Sequence, residues 1–297
     1  MRADLHIHTT ASDGCWTPEE VIDQLQDVGI ELFAIADHDT VAHVLPTADL
    51  AQAAGLSFLP GVEISAQLGE QTIHILGYGI DPESAGLNRL LEENTARLEW
   101  VNEETLRLLA RAGQPVDMGA YATYETDPSR GGWKALNYLI DQGVCRDVHE
   151  FMTHLYVGDF RPAPPDFPHP AQVCTTIRAA GGLPVLAHPG ATLRDQAVDA
   201  AALRHFLAFG VAGVECISHA HDEATTAACR AFCQRHDLLV TGGSDCHGGF
   251  AGRRLGIPRV ELADLHLGEL MGRIQGNPNA KAPPSGDGGA SLWRTEP

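Results

Sequence analysis

Histidine and carboxylate residues recur at the ends of short apolar segments, and this placement restricts the fold more than any other feature of the chain. The apolar segments alternate with longer stretches of helical periodicity, a pattern typical of parallel strands connected by helices. In a (β/α) barrel the carboxyl ends of the strands meet at one mouth, so residues that are distant in sequence come together there. The sequence therefore predicts an α/β fold, a (β/α) barrel with a polar site at its mouth.

The apolar segments predict seven strands, at residues 3–8, 32–36, 57–62, 72–78, 183–187, 213–217 and 238–242. The clearest helix signal follows the first strand, where Thr17 is an N-cap, Pro18 takes the first helical position and Gly29 ends the periodicity. Further helices are predicted at residues 48–54, 171–180, 201–209 and 224–236.

The alternation of strands and helices is interrupted once. Residues 81–165 show mainly helical periodicity without a plausible strand, which predicts an inserted, mainly helical subdomain. A proline-rich connector at 161–168 leads back to the barrel domain, which is discontinuous and comprises residues 1–80 and 166–275. The segment 276–297 has almost no apolar periodicity and is predicted to be a disordered tail.

Charge and cysteine content exclude several classes of protein. The 297 residues carry 20 Lys and Arg against 39 Asp and Glu, a formal net charge of −19. Such a field repels a polyanion, so no long nucleic acid is expected as a partner, whereas a small anion can bind where metal ions supply positive charge. The odd count of 7 cysteines and the absence of an apolar leader predict a cytoplasmic protein without disulfides. No apolar window is long enough for a membrane span, and nothing indicates an oligomeric state.

The candidate metal ligands begin in the first strand, where the spacing of His6 and His8 places both imidazoles on one side of an extended chain. A lone histidine in a strand is more often a structural residue than a ligand. Burying many unpaired charges at one mouth would cost several kcal/mol for each, so the joint placement favours bound cations. Imidazole and carboxylate together suit Zn²⁺, Mn²⁺ or Fe²⁺. The other candidates are Asp13, His38, Glu63, His74, His188, Asp245 and His247.

Six motifs resemble, in order, those of the PHP (polymerase and histidinol phosphatase) family of metal-dependent phosphoesterases. They span about residues 3–260 and read DLHIHT with a following SDG, ADHDT, GVEIS, HILGY, AHP and GSDCH. The resemblance implies a distorted, TIM-like (β/α)₇ barrel and two or three divalent metal ions, Mn, Zn or Fe. By motif, one ion would take His6, His8, Glu63 and Asp245, a second Glu63, His74 and His188, and a third Asp13, His38 and His247.

The helical insertion resembles that of a subset of the family that acts on nucleotides, short oligonucleotides or other small organophosphates. Members of this subset carry a cationic segment facing the metals, and the candidate here is residues 129–134. Arg130 and Lys134 would hold a second phosphate, and Trp133 would stack on a base or sugar. A helix start with an exposed arginine and lysine is an equally good interpretation of this segment.

The hypothesis for the reaction is hydrolysis of a phosphate ester by a hydroxide that bridges two metal ions. The predicted catalytic residues are Glu63, Asp245 and His219. Either His219 or His221 would donate a proton to the leaving group or contact the phosphate. His221, in the same loop after the sixth strand, is a candidate phosphate contact.

Three functions compete at this point. The first is a phosphatase of a nucleotide or sugar phosphate, and the alternative is a phosphodiesterase acting on a cyclic phosphate or on short oligonucleotide ends. The third is a binding module with a degenerate metal site, which the intact ligand set argues against. An amidohydrolase would need a lysine near a mid-barrel strand, and no predicted strand offers one.

Overall fold

A computed structural model describes residues 1–160, 162–193 and 197–276. The ten strands are β1 Arg2–Ile7, β2 Leu32–Ile35, β3 Ser57–Phe58, β4 Gly61–Leu68, β5 Gln71–Tyr78, β6 Leu183–Leu186, β7 Gly213–Ile217, β8 Leu239–Gly242, β9 Val260–Glu261 and β10 Gln275–Gly276. The helices are α1 Pro18–Val28, α2 Val44–Ala54, α3 Ala85–Arg111, α4 Met118–Ala122, α5 Lys134–Asp141, α6 Val148–Glu150, α7 Pro170–Ala179, α8 Pro189–Thr192, α9 Ala200–Ala208 and α10 Glu223–His236.

The strands form two five-stranded sheets, in the orders β10-β3-β2-β1-β9 and β4-β5-β6-β7-β8. Single bridges from Ile7 to Cys246 and from His38 to Glu63 join the two sheets. The space between the sheets is filled by a core with residues of both, for example Leu5 of β1 and Tyr78 of β5. The α/β class is therefore confirmed. Among the described residues no closed barrel is detected, so the distorted (β/α)₇ barrel that the resemblance implies is not confirmed.

The departure from a parallel barrel is largest at β4 and β5. These strands form an antiparallel hairpin paired from Gly61 with Tyr78 to Leu68 with Gln71, and β5 is also antiparallel to β6. The predicted strand at 57–62 was wrong because Pro60 lacks an amide donor, so the apolar run divides there into β3 and β4. The edge strands β9 and β10 have two residues each and are too short for a periodicity to reveal.

Local sequence signals predicted the bounds of several helices more accurately than those of the strands. At α1 the Thr17 hydroxyl accepts from the Glu20 amide, the Glu20 carboxylate accepts from the Thr17 amide, and Gly29 ends the helix in the left-handed region at φ 71°. The helices α7, α9 and α10 each begin and end within one residue of their predicted bounds.

All elements that the structure describes between β5 and α7 are helical, as predicted. Its main element, α3, has 27 residues, and single turns follow at Pro128–Arg130, Phe151–Leu155 and Gly158–Phe160. Leu106 of α3 and Leu139 of α5 belong to a hydrophobic core of this region. Its status as an inserted subdomain, with the bounds given above, stays a prediction.

Gly276, the first residue of the predicted tail, pairs with Ser57 of β3, and residues 277–297 lie outside the described part of the chain.

Among the helices that the structure describes, none combines the length and apolar character needed to cross a membrane.

Candidate metal centre

The predicted ligands of the first metal converge where β1 and β4 meet the loop after β8. His6 and His8 approach the Glu63 carboxylate, with Nε2 to Oε2 distances of 3.1 and 3.3 Å. His8 Nε2 also lies 3.1 Å from Asp245 Oδ1. All four side chains are buried, so these ligand types occupy one site that is largely closed to solvent.

Three overlapping groups of possible ligand atoms result, each with its atoms within 4.8 Å of one another. The first is the predicted set. The second contains His38 where the predicted set has His188. His188 still lies beside the Glu63 carboxylate, with its Nε2 2.8 Å from Glu63 Oε1. The third adds His8 to the predicted set. The groups are His6, His8, Glu63 and Asp245; His38, Glu63 and His74; and His8, Asp13, His38 and His247.

Two buried aspartates on either side of His38 hold the loops that carry the ligands. Asp37 accepts hydrogen bonds from the amide and hydroxyl of Thr9 and from the Ser12 hydroxyl, each at 2.7 Å. Asp39 accepts from the Ser65 amide at 3.0 Å and hydroxyl at 2.6 Å. The sequence Asp-His-Asp therefore fixes His38 between two anchored carboxylates rather than supplying three ligands.

Glu215 of β7 is a functional candidate that the sequence analysis missed. Its Oε1 lies 2.9 Å from His6 Nδ1, and its Oε2 accepts from the His188 amide at 2.7 Å. A carboxylate on Nδ1 fixes the tautomer and orientation of a histidine whose Nε2 faces a metal. The available signal was an acid inside an otherwise apolar strand, Gly213–Ile217.

Arg253 is a second residue that was missed. Its guanidinium pairs with Asp245 Oδ2 and donates to the Asp245 carbonyl at 3.4 Å. Of two adjacent arginines in a glycine-rich loop, no local pattern distinguishes it from Arg254.

Backbone strain is concentrated at this site. Five described residues other than glycine have a positive φ, and three of them carry or flank ligands: Asp39 at 49°, His188 at 26° and Asp245 at 54°. Such conformations cost free energy and persist where surrounding contacts enforce them.

The electrostatics favour positive charge among the carboxylates. Burial opposes ionisation of Glu63, but the neighbouring histidines outweigh it and hold the pKa of this carboxyl well below its usual range. Burial likewise opposes protonation of His8, yet Asp245 and Glu63 raise the pKa of its imidazole to about 10. For His38, burial prevails and lowers the pKa to about 3. The centre therefore stabilises positive charge near His8 and Glu63.

Hydrogen bonding also fits a metal centre. Both ring nitrogens of His8, Nδ1 of His188 and Oδ1 of Asp245 are buried without a hydrogen-bond partner. His8 Nε2 and Asp245 Oδ1 are thus close but not aligned for a hydrogen bond with each other. Buried polar atoms without partners are costly unless an ion satisfies them, so these residues fit bound divalent cations.

A cavity of about 1560 Å³ extends from this centre to the helical region. Asp13, His38 and His74 line one end, and Trp133 and Lys134 line the other. Lys134 Nζ lies 4.7 Å from the centroid of the Tyr121 ring, and the Trp133 ring packs edge-on against Phe151.

The other predicted substrate and catalytic residues are placed differently. Arg130 donates to both carboxylate oxygens of Asp141 at 2.9 Å. His219 lies beside the centre, with Nδ1 3.7 Å from Asp245 Oδ2. His221 has both ring nitrogens engaged, at 3.0 Å from the Cys216 carbonyl oxygen and from the Gly190 amide, so it braces the loop next to His188.

Comparison with known proteins places these features in a family. The PHP domain model matches residues 4–120. A 3′,5′-nucleoside bisphosphate phosphatase of Chromobacterium violaceum is 31% identical over 259 residues, covering 85% of this chain and 90% of the relative. A phosphoribosyl 1,2-cyclic phosphate 1,2-diphosphodiesterase of Eggerthella lenta is 30% identical, covering 84% and 95%. The 5′-3′ exoribonuclease Rnm of Escherichia coli is 31% identical, covering 82% and 84%.

A solved structure supports the same relationship. A metal-dependent phosphoesterase from Bifidobacterium adolescentis superposes with a TM-score of 0.75 at 27% identity, covering 91% of this chain and 96% of that one. The chain therefore belongs to the PHP family, and within it is a hydrolase of the metal-dependent phosphoesterase class.

Proposed function

We propose that this protein is a phosphatase of a small organophosphate such as a nucleotide or sugar phosphate. The observation that carries this proposal is the position of the ligand groups at one end of a cavity of about 1560 Å³, which is much larger than a phosphate needs. The phosphoryl group would bind beside His38 and His74, and the rest of the substrate would extend toward α5. The bisphosphate phosphatase named above supports a nucleotide as the class of substrate.

Two or three divalent ions held by the nine predicted ligands would supply the positive charge that stabilises the phosphoryl oxygens. The side chains of the protein would determine how these ions are arranged. Glu63 belongs to two ligand groups and so fixes their separation, while Glu215 orients His6 from behind. His219, next to Asp245, is the side chain that we assign to the leaving oxygen. Burial and the Arg253 guanidinium lower the pKa of its imidazole to about 4, so it would donate a hydrogen bond as the neutral ring.

The far end of the cavity supports a compact substrate. Trp133 offers a ring for stacking and Lys134 offers an ammonium group for an anion. On α3, Glu92, Glu99 and Glu103 line the same cavity and would repel a long polyanion. Exclusion of long nucleic acid, like a cytoplasmic location, stays a prediction.

A second candidate is a phosphodiesterase acting on a cyclic phosphate or on short oligonucleotide ends. The observation that favours it is the pairing of Arg130 with Asp141, which removes one of the two cations predicted to hold a second phosphate. A substrate with a single phosphate needs no such pair. The relatives from Eggerthella lenta and Escherichia coli support this alternative.

Product analysis with the Mn²⁺-reconstituted protein separates the candidates, because a phosphatase releases inorganic phosphate whereas a diesterase leaves a phosphomonoester, which chromatography detects. The substrates are a 3′,5′-bisphosphonucleotide, a 5′-mononucleotide, a cyclic sugar phosphate and a short 5′-phosphorylated oligonucleotide, each with a chelator control. We expect chelator-sensitive turnover that is fastest on a mononucleotide or bisphosphonucleotide. Faster turnover of the cyclic phosphate or oligonucleotide would replace the phosphatase by the diesterase, and turnover that survives the chelator would contradict both.

A further inference from the structure

Arg253 is held against Asp245 by the loop that follows β8. A bridge between His247 and Phe250 folds this loop back on itself, and the Cys246 thiol donates to the Arg253 carbonyl with a sulfur–oxygen distance of 3.8 Å. The guanidinium Nη1 then contacts both the side chain and the backbone carbonyl of Asp245. The side chain is 30% exposed, so part of the guanidinium is shielded from water.

This contact gives the two carboxylate oxygens of Asp245 different surroundings. Oδ2 faces the Arg253 guanidinium, with His219 Nδ1 3.7 Å away. Oδ1 faces His8 Nε2 at 3.1 Å and His6 Nε2 at 3.6 Å and has no hydrogen-bond partner. The backbone of Asp245 is in the left-handed region, so its orientation depends on contacts that oppose relaxation.

We propose that Arg253 is a positioning residue that holds the Asp245 carboxylate with Oδ1 directed at the divalent ion shared by His6, His8 and Glu63. The inference rests on the metal centre of the proposed function. A guanidinium so near a cation site also repels the cation. Positioning and charge therefore have opposite effects on metal affinity, and a variant distinguishes them by the sign of the change.

The test is a Mn²⁺ titration of the metal-stripped chain against a fluorescent chelator, without substrate. Arg253→Met is expected to bind Mn²⁺ about 10–100-fold more weakly, as for other residues that orient a metal ligand. Arg254→Met is the matched control, because this neighbour is exposed, and its affinity is expected to equal that of the wild type. Arg253→Lys retains the charge but not the planar fork, so an intermediate loss is expected.

Activity supplies a second readout. At saturating Mn²⁺ the Arg253→Met variant is expected to recover kcat with an unchanged KM, because the role of Arg253 is exerted through the metal. If Arg253→Met fails to fold, as judged by circular dichroism, Arg253→Lys decides the question by the same titration.

Three results would overturn the inference. Tighter Mn²⁺ binding by Arg253→Met would mean that only its charge matters at the centre. Unchanged Mn²⁺ affinity with a raised KM would make Arg253 a substrate contact. A wild-type chain that binds no Mn²⁺ would remove the metal centre itself, and with it the proposed function, whereas the first two results leave that function intact.

Discussion

The two ends of the cavity are built in different ways. At the metal end, most of the ligands are buried, and side chains from separate strands fix one another, as Glu63 and Glu215 fix His6. At the helical end, Lys134 and Trp133 are only partly buried and belong to a region with its own hydrophobic core. The first arrangement specifies a reaction class, and the second can vary in shape and charge without disturbing it. Relatives with related sequences and three differently named activities agree with such a division.

Hydrogen bonds connect the two ends, from the Gly132 amide to the Asp13 carbonyl at 2.8 Å and from α3. Asn94 of α3 is buried, and its Nδ2 donates to Asp39 Oδ1 at 2.7 Å and to the Ser65 carbonyl at 2.9 Å. Because Asp39 directly follows His38 in the chain, this hydrogen bond connects the long helix to the metal end. The division between the two ends is therefore bridged by at least these hydrogen-bonded links.

The largest effect is expected from His8→Ala at the metal end. This variant should lose bound divalent ion and about 10³-fold or more in kcat/KM, because charge stabilisation worth several kcal/mol is lost. Metal content and phosphate release of the purified variant are the measurements. His149→Ala, at an exposed histidine of the helical region, is the control. Wild-type turnover by His8→Ala would remove the metal end from the mechanism.

Leu139→Ala tests whether the helical end is separable. Leu139 is fully buried in the core of that region, so its truncation should lower the free energy of unfolding by about 2–5 kcal/mol. Urea unfolding measures this loss. If the helical end is separable from the metal end, Mn²⁺ affinity under native conditions stays unchanged. A parallel fall in Mn²⁺ affinity would show that the two ends act as one unit.

Glu215→Gln sharpens the account of the metal end. The amide can no longer accept at both positions, so His6 loses its fixed tautomer or the His188 amide loses its acceptor. We expect about a 10–100-fold loss of Mn²⁺ affinity in the chelator competition. Glu223→Gln, at an exposed residue of α10, should match the wild type. Full affinity in Glu215→Gln would reduce Glu215 to a packing residue.

Asn94→Ala tests one of the links between the ends. It removes one donor from the buried Asp39 carboxylate, and the expected loss of unfolding free energy is about 1–3 kcal/mol. Urea unfolding checks this value. A Mn²⁺ titration shows whether the loss of this hydrogen bond to Asp39 also weakens metal binding at the neighbouring His38. An Asn94→Ala chain as stable as the wild type would mean that the Asn94 hydrogen bonds do not stabilise α3 beyond its apolar contacts and the Thr95 hydroxyl, which donates to the Asp39 carbonyl.

The smallest effect is expected at the substrate end. Lys134→Met should raise KM for an anionic substrate by up to about fivefold with kcat unchanged, since a partly exposed charge contributes about 1 kcal/mol or less. Arg130→Met is the matched variant, and we expect no change in KM because Asp141 already occupies that guanidinium. A reversed order of the two variants would show that the Arg130 pair opens when substrate binds.

The convergence of the candidate ligands could be predicted because its signals are local. His6 and His8 alternate in a strand, and Glu63, His188 and Asp245 each lie at or near the end of a short apolar run. Residues of these types are seldom buried unless they are partnered, so a pattern of them indicates a shared site. All nine predicted ligands lie close together in the structure. His38 belongs to two of the ligand groups, whereas the prediction placed it in one.

Other features depend on tertiary contacts that a single sequence does not show. The hairpin of β4 and β5 was hidden by an apolar run that continues through Pro60. Arg253 and Arg254 are alike in sequence and differ only because the loop folds back onto Asp245. Likewise the segment around Arg130 was predicted from its charges and a family resemblance, and the partner that engages this arginine, Asp141, comes from the end of α5.

The most direct test of the central claim is a crystal structure of the Mn²⁺-soaked protein, with anomalous diffraction recorded at the manganese edge. The account predicts anomalous peaks within the ligand groups, including one bounded by His6, His8, Glu63 and Asp245. Crystals in which these side chains are ordered but no anomalous peak lies among them at saturating Mn²⁺ would contradict the claim that this centre holds divalent ions.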